Sequence, residues 1–150
     1  MATKSQSLLG GLAGSILVNV LAEGIRKNFR TTPRLDKYGK QGLDRITEGM
    51  GIGRLPEGPR YWTALAGDLA INTLVFALSG AGSRKRTIPQ GLALGAVMAG
   101  TMMLAAKPAG IDPDTTGENK KEKGMTVAYY LLGGLAAAGI IRLLEGRNSA

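Results

Sequence analysis

Four blocks of apolar residues, separated by stretches that carry nearly all of the charge, constrain this chain more than any other feature. They occupy residues 8–25, 61–79, 88–106 and 125–144. A helix of ~18–20 residues at a rise of 1.5 Å extends ~27–30 Å, enough to cross the hydrocarbon core of a bilayer. Each block is apolar round most of its helical circumference, which argues against the alternative of a soluble bundle whose helices carry one apolar stripe. Proline punctuates the boundaries: Pro56 and Pro59 precede the second block, Pro89 opens the third and Pro108 follows it. The expected fold is therefore an all-α membrane protein of four transmembrane helices in a single domain spanning residues 1–150.

Composition agrees once it is read block by block. The mean hydropathy of +0.03 averages apolar spans with charged connections. Large aromatic side chains are scarce and glycine occurs 23 times, a poor inventory for a water-soluble core and a usual one for close helix packing in lipid. Cysteine and histidine are both absent. That removes disulfides, thiolate chemistry and most nucleophile–base pairs, and leaves only carboxylates for a zinc site. No cofactor, no metal and no enzymatic activity is expected.

The net charge of +8 resides in the connections, not on a nucleic-acid-binding face, so nucleic acid is not an expected partner. The first connection, residues 26–60, holds nine of the nineteen Lys and Arg residues. Together with the connection after the third block it holds thirteen. Counting cations places both longer connections in the cytoplasm, although the Arg84-Lys85-Arg86 turn on the opposite side weakens that assignment. A basic connection beside a bilayer also attracts anionic lipid headgroups. Within it, Leu35, Tyr38, Leu43, Ile46 and Met50 recur among charges, as in a partly amphipathic segment lying in the interface plane. Arg34 is placed either to pair with Asp36 or to hold a lipid phosphate, and Arg26 to pair with Glu23 or face lipid. Tyr61 and Trp62 at the start of the second block and Tyr129 and Tyr130 in the fourth fall on one side of the membrane and suggest an aromatic belt. The N-terminal block has a competing reading as a signal peptide, but Asn19 interrupts it and Arg26, Lys27 and Arg30 follow it.

The first two blocks share a pattern. Leu12-Ala13-Gly14-Ser15-Ile16-Leu17-Val18-Asn19-Val20-Leu21 and Leu65-Ala66-Gly67-Asp68-Leu69-Ala70-Ile71-Asn72-Thr73-Leu74 both fit Leu-Ala-Gly-x-apolar-x-apolar-Asn-x-Leu. Duplication and coincidence both explain it. Gly11, Ser15, Asn19 and Glu23 follow at intervals of four along one helix face, as do Asp68 and Asn72 on the next helix. An aspartate at a helix centre costs ~2.5–3.5 kcal/mol on insertion scales, against ~0.3–0.6 kcal/mol gained per large apolar residue. The second span therefore needs a partner for its polar face, and the first supplies one, with Ser15 and Asn19 set against Asn72 and Asp68.

Two functions suit that cluster. It forms interhelical hydrogen bonds in a structural or accessory protein, or it serves a small transporter or channel as a site for a proton or cation, with Glu23 as a relay. An intramembrane enzyme acting on lipid ranks third and requires an open pocket at Asp68 with Arg34 beside it. Glycines at four-to-five spacing, Gly10 with Gly14, Gly91 with Gly95, Gly95 with Gly100 and Gly134 with Gly139, offer close helix approach within the chain, in a homo-oligomer or with a membrane-protein partner. Gly49-Met50-Gly51-Ile52-Gly53 lacks the strand and the Lys-Ser/Thr of a phosphate loop. The acidic turn 112–118 lacks the full calcium-loop pattern.

The motifs Asn19-x3-Glu23-x2-Arg26, Pro33-Arg34-x-Asp36-x2-Gly39 and Ala66-Gly67-Asp68-x3-Asn72 resemble those of a family of small uncharacterised bacterial integral membrane proteins with four helices. The resemblance covers about the first half of the chain. It implies a location in the bacterial inner membrane and brings no activity with it.

Overall fold

The computed structural model describes residues 1–148, and its described elements are helical throughout. Five helices follow one another: α1 (Lys4–Asn28), α2 (Leu35–Gly49), α3 (Glu57–Ala77), α4 (Thr87–Ala105) and α5 (Lys120–Asn148). Short 3-10 turns at Leu78–Gly80 and Pro113–Thr116 lie between them. All but α2 are long and apolar enough to cross a membrane.

Local chemistry sets the ends. Thr3 caps α1 in a reciprocal box with Gln6: the Gln6 N–H donates to Thr3 Oγ1 (3.2 Å) and the Thr3 N–H donates to Gln6 Oε1 (2.8 Å). Ahead of α5, Asn119 Oδ1 accepts from the Glu122 N–H (3.0 Å) while Glu122 reaches back to the Glu118 N–H (2.9 Å). This cap starts α5 five residues before the apolar block does. Tyr129 and Tyr130 consequently lie about 15 Å into the helix. They are buried in the core with Val18, Phe76, Ala99 and Ala137, and do not form the aromatic belt expected from the sequence. Trp62, by contrast, is exposed.

The bundle is an open row rather than a closed ring. α5 packs along α1 on one side and α4 on the other, α1 packs on α3, and α3 barely touches α4. Missing Cβ atoms permit the close seams. A Cβ on Gly91 would collide with the Gly134 carbonyl, one on Gly134 with the Gly91 carbonyl, and one on Gly95 with the Tyr130 carbonyl. Gly10, Gly14 and Gly133 do the same between α1 and α5, and Gly11 lets α1 meet the α3 backbone at Thr73 and Ala77. Gly100 and Gly139, suggested by spacing alone, face open space.

Within the spans several polar side chains are buried while many large apolar ones face outward. Ser15 and Thr126 are fully buried, whereas Leu104 is 80% exposed, and Val20, Ile71, Leu74, Val97 and Leu143 also point outward. Such an inversion exposes too much apolar surface for a small soluble bundle and is compatible with a lipid surround.

α2 lies across one end, with both longer connections. The Arg34 N–H donates to the Thr115 carbonyl (2.8 Å), Arg45 donates to the Gly110 carbonyl (2.8 Å from Nη2), and Gln41 Oε1 accepts from the Asp112 N–H (2.7 Å). At the opposite end Gln6 Nε2 donates to the Leu144 carbonyl (3.1 Å), and the Met1 amine lies 3.6 Å from Glu145. Within α2, Leu35, Tyr38 and Leu43 turn inward, while Ile46 and Met50 are exposed. The amphipathic segment is thus docked on α3 and the 3-10 turn before α5 rather than lying free.

Candidate functional site

Ser15, Asn19 and Glu23 descend one face of α1, and Asp68 and Asn72 lie on α3, which runs antiparallel beside it. Ser15 Oγ donates to the Leu69 carbonyl (3.2 Å), setting the helix register. One turn on, Asn19 Nδ2 donates to Asp68 Oδ2 (2.8 Å) and also to the Ser15 carbonyl (3.0 Å). Asn72, only 2% exposed, stands beside Asp68 and Tyr130, but its Nδ2 makes no hydrogen bond within ordinary geometry. Ser15, expected to pair with Asn72 across the two helices, does not bond it: Ser15 donates to the Leu69 backbone carbonyl instead.

Two clefts meet at this cluster. The first, ≈480 Å³, lies among α1, α2 and α3 and runs from Glu23, Asp36, Lys40 and Tyr61 at its mouth to Asn19 and Asp68. The second, ≈460 Å³, occupies the gap between α3 and α4 under α2; Asn72, Met98 and Met102 line it. Gly39, Ala64, Asp68 and Tyr130 border both. The opening follows from the helix order: α3 leans on α1 and α2, so nothing from α4 fills the space beside Asp68. Gly39 of α2 lies against Ala64 of α3, where a Cβ would make ordinary van der Waals contact at 3.7 Å, and it borders both clefts.

The charged groups around the clefts have partners of their own. Glu23 takes two bonds from Arg26 (2.6 and 3.2 Å), so it is held at the mouth instead of extending to Asp68. Asp36 lies 3.4 Å from Arg34 Nε. Lys40 bonds Glu57 and sits over the Tyr61 ring, 5.5 Å from its centroid. Tyr38, on the second cleft, has its phenol held above the usual range by burial. Among the described residues no lysine or arginine forms an ion pair with Asp68. Arg34 does not line either cleft, so the open pocket required for a lipid-acting enzyme is present without the cation that reading called for.

Sequence reasoning missed a buried ionic contact. Asp44 of α2 is 4% exposed and accepts from Arg60 Nε (2.8 Å) and Nη2 (2.5 Å) at the start of α3, with Arg54 Nε 3.4 Å away. Arg60 also bonds Glu57 (3.1 Å), extending the network to Lys40. This network holds α2 over the clefts. The partners lie sixteen residues apart among many other charges, so no local spacing marked them.

No protein-family model matches the chain, and no curated protein and no solved structure matches it either.

Proposed function

We propose that this chain is a small multi-pass membrane protein in which glycine contacts hold α1, α4 and α5 together and Asp68, on the more loosely held α3, is a membrane-embedded site for a proton or cation. The observation that carries this reading is the position of Asp68: a carboxylate near the middle of a span, bonded to the Asn19 amide, bordering two clefts and, among the described residues, engaged in no ion pair. Ionisable groups at such depth are costly and characteristically serve ion or substrate pathways. The motif resemblance supports a bacterial inner membrane, and the cation count supports both longer connections in the cytoplasm, near anionic lipid headgroups.

A second reading, a structural or accessory protein, is favoured by the same Asn19–Asp68 bond together with Ser15–Leu69, since such bonds fix helix packing at about 0.6 kcal/mol each. Asp68→Asn separates the two. Asparagine still accepts from Asn19, so the fold keeps its stability within about 1 kcal/mol. In proteoliposomes carrying an imposed pH or sodium gradient, the wild type is expected to dissipate the gradient above the empty-vesicle rate and Asp68→Asn is not. Equal rates for both proteins favour the accessory reading.

A further inference from the structure

The clefts specify which kind of cation suits Asp68. A bare metal ion entering a dry site must exchange its water shell for several oxygen ligands, six to eight for calcium and six for magnesium. Around Asp68 the side-chain donors are one carboxylate, two amides and the Tyr130 hydroxyl, and Asn19 already points its Nδ2 at the carboxylate. Among the described residues no three acidic side chains converge. Much of the remaining wall is apolar, with Ile16, Val20, Leu65 and Leu69 on one side and Val75 and Met98 on the other, interrupted by the hydroxyls of Tyr38, Tyr61, Thr63 and Thr101 and by Lys40, which is paired with Glu57. This lining does not replace the hydration shell of a divalent ion. It does suit a ligand that carries its charge inside an apolar cover.

We infer that the two clefts flanking Asp68 form a binding site for a lipophilic cation, an organic ammonium or phosphonium with apolar substituents, with Asp68 as its counter-charge. This inference rests on the cation-site reading of Asp68. Three further observations support it. The volumes, ≈480 and ≈460 Å³, fall within the range of small-molecule sites. The mouth carboxylates Glu23 and Asp36 are matched by Arg26 and Arg34, so the charge left for a ligand to balance is the deep one. Asn72, 2% exposed, brings an amide with no bonded partner at Nδ2 to the second cleft, and an amide turned about its own axis offers either its oxygen to an ammonium N–H or its N–H to a ligand oxygen. The gap between α3 and α4 gives such a ligand a way in from the lipid, where lipophilic cations concentrate.

Equilibrium dialysis of tetraphenylphosphonium against the full chain in lipid nanodiscs tests this. The wild type is expected to show a saturable component above that of empty nanodiscs, weakened about tenfold or more in Asp68→Asn through loss of one charge pair in a partly dry site, and largely retained in Asp68→Glu. The anion tetraphenylborate should show no saturable component. Circular dichroism confirms that each variant is folded. Saturable binding that persists unchanged in folded Asp68→Asn overturns the inference, as does binding no greater than in empty nanodiscs. If tetraphenylphosphonium fails while protons or sodium alter the infrared carboxyl band of Asp68, the lipophilic class is wrong and the cation site stands. If neither acts, both readings fall.

Discussion

Asp44→Ala is expected to release α2 from the end of the bundle. The substitution leaves the Arg60 guanidinium, bound through two nitrogens at 2.8 and 2.5 Å, without its main acceptor. Removing one member of a fully buried ion pair costs ~3–5 kcal/mol, and because Arg60 keeps Glu57 and some solvent the expected loss is about 2–3 kcal/mol. Because α2 forms walls of both clefts, the loss should also expose α2 to protease before the spans themselves unfold. Limited proteolysis and denaturant unfolding in micelles measure the two effects. Glu48→Ala is the control: Glu48 is exposed and lies 3.9 Å from Arg45, so its loss should fall within about 0.5 kcal/mol. An Asp44→Ala protein as stable and as resistant as the wild type would show that α2 is held by its apolar contacts alone.

Gly134→Val should be the most damaging change in the spans. Its Cβ would occupy the position of the Gly91 carbonyl, and the Gly91 Cβ position likewise overlaps the Gly134 carbonyl, so neither backbone can yield without opening the α4–α5 seam. Overpacking a tight contact costs ~1–3 kcal/mol and sometimes more, and at a backbone-to-backbone contact the expected loss is at the upper end, about 3 kcal/mol. Gly139→Ala, on the same helix with open space at its Cβ position, should be neutral or stabilising by up to about 1 kcal/mol. Denaturant titration of both variants by circular dichroism distinguishes a packing seam from a general intolerance of substitution.

These cases show what the sequence can and cannot disclose. The four spans were legible because lipid imposes length and uniform apolarity on any helix that crosses it. The meeting of Asn19 with Asp68 was legible because polar groups at intervals of four in an apolar block need one another. Other relations depended on rotation and long-range docking. Spacing could not separate Gly95, pressed against α5, from Gly100, facing outward, because either fits a small-residue pattern. It also missed Gly133, and it placed Gly11 on the polar face of α1 without revealing its close contact with the α3 backbone. Tyr129 and Tyr130 read as an aromatic belt because the Asn119–Glu122 cap that begins α5 early lies outside the apolar block. The gap between α3 and α4 follows from which helices α5 chooses as neighbours, and no local pattern encodes that choice.

Infrared titration of the wild type against Asp68→Asn in bilayers tests the central claim most directly. If Asp68 is a membrane-embedded site, the difference spectrum will contain one carboxyl band that titrates reversibly and shifts when a bound cation is added. A band that stays fixed at every pH and with every cation would contradict the account, and would leave Asp68 as a hydrogen-bonded element of packing between α1 and α3.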